Sequence, residues 1–163
     1  MTEVAIRTAV PVDTEAVVAV ILPIQQEEFG IPITREAQPD LLRIADYYQV
    51  RDGNFWVAEA GGIIVGTIGL LDIGNGEGAL RKMFVSAPWR GPEARVAQRL
   101  LEELLTWARR KALRRICLGT TDRFLAAHRF YEKHGFELIA KDNLPASFPV
   151  MTVDTRFYAL RLD

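Results

Sequence analysis

Apolar positions change their period along this chain, and those changes divide it into elements. Val4–Ala5–Ile6–Arg7–Thr8 reads as a first strand, and Pro11–Val12–Asp13 ends it. Asp13 is placed to cap a helix that carries Val17, Val20, Ile21 and Ile24 on one face. A second helix is expected over about Gln38 to Tyr48, and the run Glu28–Phe29–Gly30–Ile31–Pro32–Ile33 between them is apolar but broken by Gly and Pro, hence a loop.

Further on, Phe55–Glu59 and Ile63–Leu71 are β-rich runs joined by Ala60–Gly61–Gly62, which predicts a hairpin. Leu80–Val85 reads as the next strand. From about Pro92 to Lys111, Val96, Leu100, Leu104, Trp107 and Ala108 keep helical spacing; Glu93 stands early, and Arg109, Arg110 and Lys111 stand late, to suit the helix dipole. Arg115–Leu118 is a short buried strand, Leu125 to His134 a helix ended by Gly135, Phe136–Ala140 a strand, and Thr152–Leu160 a closing strand of period two. The sum predicts an α/β fold, an α+β sandwich in which a mixed sheet carries helices on its faces.

Composition narrows the class. The chain has 163 residues, 49% apolar and 25% charged, with a formal net charge of −1. That length suits one domain over 1–163, and the charge balance gives no cause to expect a nucleic-acid or membrane partner. The single cysteine, Cys117, excludes an internal disulfide and argues against a cysteine-based metal site, so no metal is expected. No apolar run has membrane-spanning length and the N-terminus lacks a signal-like pattern, so a cytoplasmic location is expected.

Candidate chemistry begins at the strand–turn–helix unit Met83–Phe84–Val85, Ser86–Ala87–Pro88–Trp89–Arg90–Gly91–Pro92 and the long amphipathic helix. A helix start presents unpaired N–H groups and partial positive charge, which suits a phosphate. Some thirty residues on stands Ala127–His128–Arg129–Phe130–Tyr131, followed by Gly135–Phe136.

Taken together with Val96–Ala97–Gln98–Arg99–Leu100–Leu101 after the Arg-Gly turn, these segments resemble the GNAT superfamily of acetyl-CoA-dependent N-acetyltransferases. The resemblance covers roughly Leu80 to Ile139. It implies a mostly antiparallel sheet of about seven strands with helices on both faces and a splayed pair of parallel central strands. It implies acetyl-CoA as co-substrate, with the backbone of Met83, Phe84 and Val85 on the pantetheine arm. Groups between about Arg90 and Ala97 (Arg90, Gly91, Arg95, Val96 and Ala97) would hold the pyrophosphate, and Tyr131 would lie near the thioester sulfur. A phenol there can act as general acid toward the leaving thiolate. The family's inner loop glycine is absent: counting back from Val96 its position holds Arg95, counting forward from Arg90 it holds Glu93, and the loop is two residues longer than usual.

A general base is also needed. The strand before the turn begins Gly78–Ala79–Leu80, so Glu77 is the nearest carboxylate, read as lying in the preceding turn; Asp72 and Glu28 are further candidates. His128 shares a helical face with Tyr131 and is either a site residue or a packing residue. His134 complements the helix end, and Cys117, between Ile116 and Leu118, is a buried thiol. Thr120 and Thr121 either line the cofactor slot or cap the next helix. The acceptor site is expected from Gln25, Glu28, Phe29 and the loop Leu144–Pro149, with Glu28 able to attract a cationic amine. The expected activity is acetyl transfer to a primary amine of a small molecule or peptide, with homodimerisation possible; the alternative is a non-catalytic CoA-binding or interaction module.

Overall fold

The computed structural model describes residues 3–91 and 95–162. Pro92 and Glu93, to which the sequence assigns the start of the long helix, lie outside the described residues.

Among the described residues seven strands form a single sheet in the order β1-β2-β3-β4-β5-β7-β6. They are β1 (Val4–Thr8), β2 (Asn54–Ala60), β3 (Ile63–Gly74), β4 (Glu77–Val85), β5 (Arg115–Thr120), β6 (Glu137–Ile139) and β7 (Arg156–Arg161). The helices are α1 (Thr14–Pro23), which runs on into a wide turn over Ile24–Glu28, then α2 (Pro39–Leu42), α3 (Ile44–Tyr47), α4 (Val96–Arg110) and α5 (Leu125–Lys133). Every strand pair is antiparallel except β4 with β5. Among the described residues no helix is long and apolar enough to cross a membrane.

Burial explains the layering. The stripe Val96, Leu100, Leu101, Leu104, Leu105 and Ala108 of α4 packs on one sheet face with Ile68, Leu70, Leu118 and Tyr158. On the other face Val17, Ile21, Leu41, Ile44 and Tyr48 cover Phe55, Val57 and Ile64. Each fully covered Leu or Ile contributes about 1.5–3 kcal/mol, so the two apolar layers fix which face each helix takes. The β2–β3 turn is two residues long, and Gly61 and Gly62 stand at φ 57° and 81°, as a twist-matched hairpin turn requires.

Two features of β4 create the site. Its parallel pairing with β5 covers Glu77↔Arg115, Gly78↔Ile116 and Ala79↔Cys117 and then ceases. Against β3, Gly69 pairs with Arg81 and Thr67 with Phe84, so Lys82 and Met83 together oppose one residue. This is a bulge: Lys82 stands at φ 55°, and its carbonyl accepts a hydrogen bond from Thr67 Oγ1 at 2.7 Å. A bulge bends its strand, which turns the end of β4 away from β5.

Several sequence expectations are corrected here. Asp13 occupies the position before α1, but its carboxylate turns back to the Val10 N–H and to Arg7, both at 2.8 Å, and does not cap the helix. The helix expected over Gln38 to Tyr48 is broken at Arg43 (φ −139°, ψ 55°), because Gln38 and Asp40 on its first turn are held by polar partners on the sheet. Glu77 opens β4 instead of lying in a turn. The last strand starts at Arg156, not Thr152, since Met151 to Asp154 close a turn through Asp154 N–H and the Met151 carbonyl at 3.0 Å.

Candidate active site

Where β4 and β5 part, a cleft of about 850 Å³ opens between them. Its walls bring together Phe29, Met83, Phe84, Val85, Arg90, Gly91, Arg95, Val96, Ala97, Thr120 and Tyr131. Among the described residues one edge of β4 beyond Ala79 has no strand partner, so its amide groups there are left for another extended chain to bond. At the cleft's end α4 begins, with Val96, Ala97 and Gln98 of its first turn in the cleft wall.

Arg95 precedes α4 at φ 51°, ψ 35°, the left-handed region that glycine enters without cost. Arginine thus keeps the backbone shape of the missing glycine. Its N–H donates to the Gly91 carbonyl at 3.4 Å, and its own carbonyl accepts from Arg99 N–H at 2.9 Å.

Arg90 is engaged at the cleft mouth. Its Nε donates to the Val85 carbonyl at 2.7 Å, and its two terminal nitrogens fork the carboxylate of Glu28. That contact holds the Glu28 carboxyl below its ordinary range. The adjoining Phe29 rests edge-on against Phe124 at 4.5 Å, and Arg123 donates to the Phe29 and Gly30 carbonyls at 2.9 Å. The turn after α1 is therefore tied to both walls.

Tyr131 lies on the buried face of α5, its ring against Phe136 (5.5 Å) and Tyr158 (6.2 Å). Burial holds the phenol above its ordinary pKa, so it stays protonated at neutral pH. Its hydroxyl has no hydrogen-bond partner among the described residues. On the same face His128 is buried, with Nε2 2.9 Å from the Thr121 carbonyl, a packing arrangement. Thr121 Oγ1 accepts only a long bond, 3.5 Å, from Arg123 N–H, and the residue before α5 is Phe124, so neither threonine caps that helix. His134 packs at a tilt against Phe130, ring centroids 4.5 Å apart, and burial pushes the Cys117 thiol up to about 11.

Glu77 is not brought to this cleft. It stands at the far end of β4, about 20 Å along the strand from Met83 at 3.3 Å per residue, and is ion-paired with Arg115. Asp72 is likewise occupied, accepting from Gly74 N–H at 2.8 Å and Asp52 N–H at 3.1 Å.

Sequence reasoning missed a polar group on the helix α1–α3 side of the fork. Lys82 lines the cleft, is almost wholly covered, donates to Gln38 Oε1 at 2.5 Å and lies 3.9 Å from Asp40 Oδ2, which also accepts from the Tyr48 hydroxyl at 2.6 Å. Burial lowers Lys82 to about 8. Asp154 Oδ2 accepts from Met151 N–H at 2.9 Å and lies over Gly119 of β5, where a Cβ would stand 2.6 Å from it. Burial raises the Asp154 pKa, opposed by the Met151 N–H and by Arg81 and Lys82. The signal was the adjacent pair Arg81–Lys82 inside an apolar strand. Simple alternation sends one of the two to each face, whereas the bulge lets both reach the same one.

A forked mixed sheet with a strand edge open beyond Ala79, the start of a helix at its end and a tyrosine in its wall makes a cleft suited to an extended, phosphate-bearing ligand. Comparison with known proteins agrees: residues 18–136 match the model of the Acetyltransferase (GNAT) family. The chain belongs to that family. It is similar to an acetyltransferase of the GNAT family from Staphylococcus aureus Mu50, at 38% identity and a TM-score of 0.94 over 98% of this chain and 99% of that one. It is 28% identical to the probable N-acetyltransferase camello of Xenopus tropicalis over 73% of its own length and 55% of that protein's, so it spans about half of that relative. It also shares its fold with N-acetylglutamate synthase from Neisseria gonorrhoeae complexed with coenzyme A and N-acetyl-glutamate, at a TM-score of 0.73 and 19% identity over 98% of this chain and 35% of that one.

Proposed function

We propose that this chain transfers the acetyl group of acetyl-CoA to a primary amine of a small molecule or peptide by direct attack, with both substrates bound at once. The observation that carries this reading is the fork: the unpaired edge of β4 leads from the start of α4 to the unpartnered hydroxyl of Tyr131. Bound there, acetyl-CoA would supply an activated acyl carbon with a thiolate leaving group.

The chain's own groups divide the work. Met83, Phe84 and Val85 hold the pantetheine arm through their amides, and the first turn of α4 with Gly91 holds the pyrophosphate. Arg90 contributes by fixing the loop, since its side chain is engaged with Glu28 and Val85. Asp154 takes the proton from the acceptor ammonium, so that the nitrogen lone pair forms the new C–N bond as the C–S bond breaks. Tyr131 donates its proton to the departing sulfur. Asp154 takes this role in place of Glu77, Asp72 and Glu28 because Glu77 and Glu28 are held in ion pairs and Asp72 accepts two backbone N–H groups, whereas Asp154 accepts one, lies against Gly119 of the cleft wall, and is made more basic than an ordinary carboxylate by burial. Holding both substrates side by side supplies much of the rate.

A titration with acetyl-CoA followed by thiol release over a panel of amines tests this. Binding with turnover is expected. Binding without turnover across the panel would leave a CoA-binding module, and no binding at millimolar acetyl-CoA would remove the reading altogether.

A further inference from the structure

We infer that Arg81 binds a carboxylate of the acceptor, and hence that the acceptor is a small amine that also carries a free carboxylate. The inference rests on the acetyl-transfer reading for what the cleft does.

Arg81 lines the cleft and is more than half covered by its surroundings. A guanidinium offers five donors in a planar fork. Here the partners among the described residues are the Met151 thioether, 3.3 Å from Nη2, and Tyr47, whose ring centroid is 6.0 Å away and whose hydroxyl also reaches the guanidinium. No carboxylate of the described residues lies within 4.0 Å of it, whereas Arg7, Arg35, Arg90 and Arg115 each hold one. A thioether is a weak acceptor. A covered cation facing sulfur and an aromatic ring therefore keeps much of its bonding capacity unused, and a carboxylate would take it up bidentately.

The surroundings select the rest of the ligand. Lys82 is next in the chain and lines the same cleft. Against these two cations stand Asp40, beside Lys82, and Asp154, over Gly119 on the opposite strand. Asp154 lies close enough to Arg81 and Lys82 for both cations to act on its carboxyl, so groups of opposite charge face one another at this end of the cleft, an arrangement that suits a zwitterion better than a plain anion or a plain cation. Arg81 would take the carboxylate on the β4 side, and the ammonium would lie toward Asp154, at the fork.

Matched acceptors test this: L-amino acids against their α-carboxamides, with the purified chain and acetyl-CoA. The acids should be used with KM about 10- to 100-fold below that of the amides. Arg81→Gln should erase that difference by raising KM for the acids, with kcat and the acetyl-CoA KM kept. Arg81→Lys should fall between, because it keeps the charge and loses the fork; thermal unfolding and acetyl-CoA affinity report whether each variant is folded. Equilibrium dialysis of labelled N-acetyl-amino acids against the CoA-loaded chain gives the same ranking without turnover. Amides used as well as acids, an unchanged acid KM in Arg81→Gln, or no acid bound by the wild type would overturn the proposal. If no amine is acetylated yet acids bind and Arg81→Gln abolishes their binding, the carboxylate site stands and the acetyl-transfer reading falls.

Discussion

The guanidinium of Arg90 forks the carboxylate of Glu28 across the cleft mouth, joining the end of β4 to the turn after α1, 62 residues away. Both side chains are about a third exposed, so the pair contributes about 1 kcal/mol or less in stability. Its larger effect is positional. A double-mutant cycle with Glu28→Gln and Arg90→Gln should show the two substitutions to be non-additive in acetyl-CoA affinity and in urea unfolding. The coupling should be present above the ordinary carboxylate range and fade as pH falls through the lowered pKa of Glu28. Additive effects would mean that the pair does not act as a unit.

Tyr131→Phe removes one hydroxyl that has no partner among the described residues, and leaves the packing against Phe136 and Tyr158 in place. Stability and acetyl-CoA affinity should hold while kcat falls by about 10²-fold or more, the usual range for losing a general acid. Steady-state kinetics beside a binding titration separates the two; an unchanged kcat removes Tyr131 from the chemistry.

Asp154→Asn should lower kcat/KM and abolish its acidic limb, because the raised carboxyl is the group that must be ionised to accept the proton. Gly119→Ala offers an independent route to the same result, since the added Cβ would press on Asp154 Oδ2 and displace it. A wild-type pH profile retained in both variants would assign the base elsewhere.

Lys82 links the site to stability. Its folded pKa is lowered to about 8 from 10.5, so between those values the unfolded chain holds a proton that the folded chain has shed. This contribution is present in full above pH 10.5 and is lost as pH falls through 8. Denaturant unfolding from pH 7 to 10 should therefore show wild type gaining on Lys82→Met as pH rises, by on the order of 2–3 kcal/mol across the window. A pH-independent difference would place the Lys82 pKa near its ordinary value.

Arg95→Gly tests the left-handed residue before α4. Glycine removes a conformational cost of about 1–2 kcal/mol, partly offset by its greater freedom in the unfolded chain. A small rise in Tm is expected. Whether acetyl-CoA affinity then falls reads the contribution of the arginine side chain itself: a drop assigns it to phosphate contact, and no change assigns the position to backbone shape alone.

Much of the layout was legible because it rests on local period. Alternation gave β1, the β2–β3 hairpin and β5, and the 3.6-residue repeat of Val96, Leu100, Leu104 and Ala108 gave α4. The segments around the cleft, from Leu80 to Ile139, were legible through their resemblance to the GNAT superfamily and not through period. The illegible parts depend on partners distant in sequence. Asp13 looks like a cap until Arg7 is placed beside it, and Gln38 to Tyr48 looks like one helix until Lys82 draws Gln38 and Asp40 toward the sheet.

By itself, then, the sequence determined the order of elements and the apolar faces that sort the helices onto two sides of one sheet. These follow from side-chain period and turn chemistry, which are local. Only the tertiary structure decided how the charged residues are used. The bulge at Lys82 and Met83 turns Arg81 and Lys82 to one face, ion pairing withdraws Glu77, Glu28 and Arg90 from a free role, and the close approach of Asp154 to Gly119 brings a carboxylate from the last turn to the fork. A charge acts on whatever lies within a few ångströms, and that neighbourhood is set by folding.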